Sequence, residues 1–204
     1  YANFLKTQWT LFSVKQGEFG IMKPYLKRSC LVKPWIAGVT LMQSVAAVAL
    51  EDVPVAYLIV AKSHQVPVDI LYAIAMTESG THYRGERVPW PWALNIDGQS
   101  VFCESQQDAI HRVSQAIRNQ QSVDIGLMQV NWRWHGQRFA TIDESLVPIK
   151  NLSAGATILY EQFEQTNDWW EAVGRYHDPG QDTESLGSAQ RYRERVRQYW
   201  REWF

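Results

Sequence analysis

One acid stands out for where it sits. In residues 68–80, VDILYAIAMTESG, the side chains Ile70, Ile74 and Glu78 recur at i, i+4 and i+8. At about 100° per residue, Glu78 lies within roughly 40° of the apolar ridge of a helix, where carbon is normally buried. It also falls in the last turn ahead of Gly80, a residue suited to the C′ position, so the negative helix pole disfavours the ionised carboxylate. Partial desolvation acts in the same direction. A carboxyl that keeps its proton near neutrality is what a general acid requires. The plain alternative is a glutamate that turns to solvent from a fraying helix end.

Two further stretches carry polar or planar groups in suggestive places. Residues 122–135, SVDIGLMQVNWRWH, lack a helical period. In an extended chain Leu127, Gln129 and Asn131 project to one side and Met128 and Val130 to the other. Gln129 and Asn131 are neutral hydrogen-bonding side chains of the kind that orient sugar hydroxyls and acetamido groups, though a polar strand edge reads the same way. Gly126 relieves sterics either in a turn or where backbone approaches a ligand. Trp90-Pro91-Trp92 holds two indoles in a stiff segment, to pack on the domain or to stack on a sugar face.

The elements that must position these residues are mostly helical. Residues 54–64 predict a helix with Val55, Leu58, Ile59 and Lys62 at helical spacing, and Pro67 takes the first turn of the Glu78 helix. Asp97-Gly98 between 93–96 and 99–102 predicts a β-hairpin with a type I′ turn. Residues 105–119 predict a helix opened by a Ser105/Asp108 capping box, with Ala109, Ile110, Val113, Ala116 and Ile117 as its apolar stripe. Asn151 is expected to cap a helix over 152–165, whose Ala154, Gly155, Ile158 and Leu159 suit close packing. Asp168 is expected to cap 169–177, with Ala172, Val173 and Tyr176 on one side and Asp178-Pro179-Gly180 as the stop. Residues 184–204 predict a helix whose alternating charges look solvated. The fold class is therefore mainly α (α+β), with a small β-hairpin.

Composition sets the outer limits. The 204 residues, 46% hydrophobic and 20% charged, supply one well-buried domain. A net charge of −1 gives no positive field that would argue for nucleic acid. Cys30 and Cys103 have no metal-ligand spacing and form no disulfide framework, so no metal or cofactor is expected. Residues 1–21 have no clear period and stay unassigned. Residues 22–49 have the form of a signal peptide: Lys23, Lys27, Arg28 and Lys33 precede an apolar run from 36 to 49, and Ala47-Val48-Ala49 is a small-x-small cleavage pattern. The run is short of the roughly 20 residues of a membrane span. Residues 50–204 then form the expected mature domain, with Cys103 a lone buried thiol; an uncleaved anchor or a short buried helix is the alternative for 22–49.

Taken together, Glu78-Ser79-Gly80, Gly126-Leu127-Met128-Gln129, Ala154-Gly155, and Ala172 followed by Tyr176 resemble, in order, the motifs of the soluble lytic transglycosylases, which have a lysozyme-like fold. The resemblance covers about residues 53 to 180. Asp124-Ile125 and Val130-Asn131 resemble the branch that accompanies secretion systems, pili and conjugation machines, and Trp90 to Asn95 resembles members carried by integrating conjugative elements. His177 stands where the family often has Asn after the Tyr, and Asn131-Trp132 where many members have a Pro.

The resemblance implies cleavage of the bond between N-acetylmuramic acid and N-acetylglucosamine in peptidoglycan, with a 1,6-anhydro product. Glu78 would be the acid and base, Tyr176 would hydrogen-bond near it, and Gln129 with Met128 would line the glycan groove. Ser79, Asn131, Trp90 and Trp92 complete the expected substrate contacts. It implies a periplasmic or cell-envelope location, peptidoglycan strands as partner, and components of a conjugative transfer or secretion apparatus beside them. A hydrolysing lysozyme with Asp124 or Asp97 as second carboxylate, or a non-catalytic glycan-binding assembly factor, are the competing readings.

Overall fold

The computed structural model describes residues 53–204. The expectations for residues 1–21 and 22–49 lie outside the described residues.

The chain opens with α1 (Val55–His64) and turns at Val66-Pro67 into α2 (Val68–Ser79). Pro67 sits at the N-cap of α2 rather than in its first turn, because its extended ψ of 127° precedes the helix. Helix α2 is buried on nearly every side, through Ile70, Leu71, Tyr72, Ala73, Ile74, Ala75 and Met76, so it is the central element of the fold. Two hairpins follow, β1 (Gly80–Tyr83) with β2 (Glu86–Pro89), and β3 (Ala93–Ile96) with β4 (Gln99–Phe102). Helix α3 (Gln106–Arg118) leads to β5 (Val123–Ile125) and β6 (Val130–Asn131). After the short α4 (Trp132–His135), a 3₁₀ turn (Gly136–Arg138) and α5 (Ile142–Ser145) come the long α6 (Pro148–Thr166), α7 (Trp169–His177) and α8 (Thr183–Trp203). One sheet is β1-β2; the other has the order β4-β3-β5-β6, antiparallel throughout.

The local signals act as turn and cap chemistry requires. Ile96 pairs with Gln99 across Asp97 (φ 48°) and Gly98 (φ 83°), the two positive φ angles of a type I′ turn. The Ser105 hydroxyl accepts the Asp108 N–H at 3.2 Å, and the Asp168 carboxylate accepts the Trp170 and Glu171 N–H groups at 2.8 and 3.0 Å.

Four further expectations are corrected. Asn151 does not cap a helix: α6 begins at Pro148, and Asn151 lies inside it, 1% exposed. Gly80 is not a left-handed cap; it is extended (φ −63°, ψ 122°) and opens β1. A Cβ there would stand 2.2 Å from the Met76 carbonyl oxygen, so close approach and not handedness excludes a side chain. On α1 the buried residues are Tyr57, Val60 and Ala61, while Val55, Leu58 and Ile59 are exposed. Finally, α8 is not a solvated tail. It packs on α2 and α7, buries Ala189, Tyr192 and Val196, and its Trp200 indole donates to Asp69 of α2 at 2.7 Å. Helix α7 in turn packs on α6, so Ala56–Phe204 closes into one unit around α2.

Candidate active site

Glu78 occupies the last turn of α2, half-buried, where α8 crosses. The Tyr192 hydroxyl of α8 donates to its Oε1 at 2.6 Å, and Oε2 has no hydrogen bond among the described residues. Burial pushes the carboxyl up to about 7 from an ordinary 4.5; the Tyr192 hydrogen bond and Arg195 pull the other way, and the Asp124 carboxylate adds to the rise. An acid that is half-protonated near neutrality can give a proton to a leaving oxygen and take one back. Burial also pushes the phenols of Tyr192 and Tyr176 well above their ordinary range, so both remain neutral donors.

Tyr192 is the candidate-site residue without a signal in the sequence, because it sits 114 residues from its partner on a helix whose charges read as solvated. The His177 ring lies flat on it, centroids 4.6 Å apart and planes 4° from parallel, and the Arg195 guanidinium stands 5.4 Å from the ring centroid. The unexpected His after Tyr176 thus has a definite place, as a plate behind the phenol that holds Glu78.

Tyr176 does not bond to Glu78. Its hydroxyl donates to the Met128 carbonyl at 2.7 Å, although its neighbourhood feels the Glu78 charge. It therefore ties α7 to the segment between β5 and β6. That segment is not the extended strand expected from its composition: Gly126 to Gln129 form a turn with positive φ at Gly126 (78°) and Gln129 (44°). Asn151 holds the turn from below. Its amide donates to the Ile125 carbonyl at 2.8 Å and to the Ser145 carbonyl at 3.0 Å, and its oxygen accepts the Met128 N–H at 2.9 Å. A Cβ on Gly126 would meet that amide at 2.7 Å, and one on Gly155 would meet the Met128 side chain at 2.6 Å.

The remaining candidates divide by exposure. Ser79 is 1% exposed, and its hydroxyl bridges the Ala75 and Leu127 carbonyls at 3.0 and 2.9 Å, so it fastens the Glu78 helix to the turn. Met128 is fully buried and acts through its backbone. Gln129 is half-buried; its amide nitrogen donates to the Ala93 and Gly126 carbonyls at 3.1 and 2.9 Å, and its oxygen is not engaged among the described residues. The Asn131 amide donates to Asp124 at 2.7 Å, and its oxygen caps α4 at the Trp134 N–H. Trp92 is 6% exposed, and the half-buried Trp90 donates to the Cys103 carbonyl at 2.8 Å, so these two indoles pack on each other and on the domain. Cys103 is a buried free thiol, pushed up to about 12 by burial. Asp97 spends its carboxylate on Gln121 and the Ser122 N–H at the hairpin tip.

Glu78, Tyr192, Asp124, Tyr176 and the turn at Gln129 therefore share one region, built from α2, α7, α8 and the β5–β6 turn. Among the described residues no cluster of three His, Cys, Asp or Glu side chains suits a metal ion.

Residues 103–196 match the family model of the transglycosylase SLT domain. The matched stretch holds the Gly126–Gln129 turn, Asn151, Gly155, Tyr176 and Tyr192, and begins after Glu78. It supports the lytic transglycosylase family, and the mainly helical fold with its small antiparallel sheets is consistent with a lysozyme-like SLT domain. No curated protein and no solved structure gives a significant match.

Proposed function

We propose that this chain, with an SLT-domain match that supports lytic transglycosylase activity on peptidoglycan, cleaves the N-acetylmuramic acid to N-acetylglucosamine β-1,4 bond with Glu78 as acid and then base. The observation that carries the reading is a half-buried carboxyl held near 7 with one oxygen pinned by Tyr192 and the other not hydrogen-bonded among the described residues.

In the first step the protonated Oε2 of Glu78 donates to the glycosidic oxygen as the C1–O bond breaks. Positive charge then develops at C1 of the muramoyl residue, and the Glu78 carboxylate left behind faces it. In the second step that carboxylate takes the proton of the C6 hydroxyl as its oxygen bonds to C1. The 1,6-anhydro ring closes and Glu78 regains its proton. One carboxylate serves both steps because the nucleophile is tethered to the substrate, so no water has to be held and activated. The Gln129 oxygen offers an acceptor to sugar N–H and O–H groups at the edge of the site.

Asp124 favours a second reading, hydrolysis. It is a half-buried carboxylate whose charge is felt at Glu78, as a second group serving as base or nucleophile would be, and the Asn131 amide donates to it at 2.7 Å, which favours its ionised form.

An exported protein acting in the periplasm or cell envelope suits this substrate. Service to a conjugation or secretion apparatus rests on the resemblance at Trp90 to Asn95 and around the Gly126–Gln129 turn. Glu78→Gln keeps the shape and the acceptor for Tyr192 but removes the proton. Digestion of purified sacculi, followed by release of soluble muropeptides, should fall by about 10²- to 10⁴-fold in that variant. Undiminished digestion would refute the role of Glu78 and leave the glycan-binding reading.

A further inference from the structure

Helix α6 presents two neighbouring faces. Asn151 and Gly155, at i and i+4, meet the β5–β6 turn, and Lys150, Ser153, Ala154 and Thr157 line the adjoining face. On that second face lies an open cavity of about 390 Å³, lined also by Arg138, Phe139 and Glu144. One step around the helix, about 100°, separates it from the side chains that hold the β5–β6 turn.

The walls carry fixed charges of both signs. Glu144 is held by the Ala140 N–H at 2.6 Å and by Lys150 at 2.9 Å, and these two contacts keep its carboxyl below the usual carboxylate range. Arg138 is held in a two-pronged pair with Glu161, at 3.0 and 2.6 Å, and its Nε donates to His135 Nδ1 at 3.3 Å. A guanidinium has five N–H donors and an ammonium three. These contacts use three of the former and one of the latter, so spare donors remain on both cations and spare acceptor capacity on Glu144. A single anion would meet Glu144 repulsively, and a single cation would meet Lys150 and Arg138. A ligand with an ammonium and a carboxylate on one carbon satisfies both signs at once.

We infer that this cavity binds the amino-acid zwitterion, ammonium and carboxylate on one carbon, at the far end of a diamino-acid side chain in the peptide stem carried by the glycan strand. The inference rests on the proposed peptidoglycan reading, since the stem is attached to the muramoyl sugar that Glu78 would address. The carboxylate lies on Arg138 and Lys150, the ammonium on Glu144, and the Phe139 ring and Ala154 methyl contact the aliphatic part of the stem. Occupancy would select strands that still bear their peptides.

Two measurements on the full chain test it. The first compares digestion of intact sacculi with digestion of strands stripped of peptide by an amidase, for wild type and Lys150→Ala. Lys150 is 57% exposed, so its loss does not threaten the fold. Wild type should prefer the peptide-bearing strands by about three- to tenfold, and the variant should lose the preference while digesting stripped strands as wild type does. The second is calorimetric binding of the free tripeptide L-alanyl-γ-D-glutamyl-meso-diaminopimelate, against the same peptide with its diaminopimelate ammonium acetylated. Binding of the free form alone, weakened in Lys150→Ala, supports the inference. An equal preference in both proteins, or equal binding of both peptides, overturns it. Activity on stripped strands reports separately on the function proposed above, and the calorimetry decides the cavity even if wild type digests neither substrate.

Discussion

At Glu78 two opposed effects meet. Burial on the flank of α2 raises its carboxyl, while the 2.6 Å hydrogen bond from Tyr192 stabilises the ionised form and limits the rise to about 7. Tyr192→Phe removes only the hydroxyl, so the carboxyl should become a weaker acid still. For an enzyme whose first step needs the protonated form, the rate falls as pH climbs past the Glu78 value. The high-pH limb of the rate profile should therefore lie near 7 in wild type and shift upward in Tyr192→Phe, with about a tenfold lower maximum from the loss of one charge-assisted hydrogen bond. An unmoved limb would mean that Tyr192 does not govern the proton on Glu78. The stacked His177 keeps that phenol in place, which gives a physical role to the one position where the chain departs from the Tyr-Asn pattern.

Among the elements, the β5–β6 turn depends most on a single residue. Asn151 reaches out of α6 to satisfy the Met128 N–H and the Ile125 and Ser145 carbonyls, all in a buried setting. Asn151→Ala leaves these groups unpaired and should cost about 2–4 kcal/mol, read as a lowered midpoint in urea denaturation. A loss below about 0.5 kcal/mol would show that the turn holds itself. The same elements show what a sequence discloses. The Asp97-Gly98 hairpin and the Ser105 and Asp168 caps were legible because their causes lie within four residues. The β1–β2 hairpin was not foreseen, since its turn places Arg84 at φ 53° beside Gly85 at φ 89°, and Arg is an unusual occupant of a left-handed position. Local preference gives Asn151 as a cap because it is blind to a partner 23 or 26 residues away. Glu78 could be singled out from the spacing of α2 alone; its partner on α8 could not.

The whole molecule carries the cost of its candidate site. Helix α8 returns across α2 and brings Tyr192, Trp200 and the Tyr72–Trp203 edge contact to the same helix that bears Glu78. Closing that interface desolvates the acid. In the unfolded chain Glu78 titrates near its ordinary 4.5, in the folded one at about 7. Between these values the unfolded chain has already released a proton that the native state keeps, so stability falls as pH rises from about 4.5 to about 7 and is level above. A shift of this size corresponds to at most about 3 kcal/mol, and nearer 2 with the partial exposure of Glu78. Glu78→Gln has no such loss. Its denaturation midpoint should match wild type near pH 4.5 and exceed it at pH 8; the opposite order would contradict the burial of an ionisable site.

The chemistry itself is decided by the ends of the cleaved strands. Sacculi digested by wild-type protein in ¹⁸O-labelled water and analysed by mass spectrometry should yield muropeptides with 1,6-anhydromuramoyl ends, lighter by one water than hydrolysis products and free of label. Reducing muramic ends carrying ¹⁸O would instead show that water, activated beside Glu78 by a second group such as Asp124, is the nucleophile, and would contradict the single-carboxylate cyclisation.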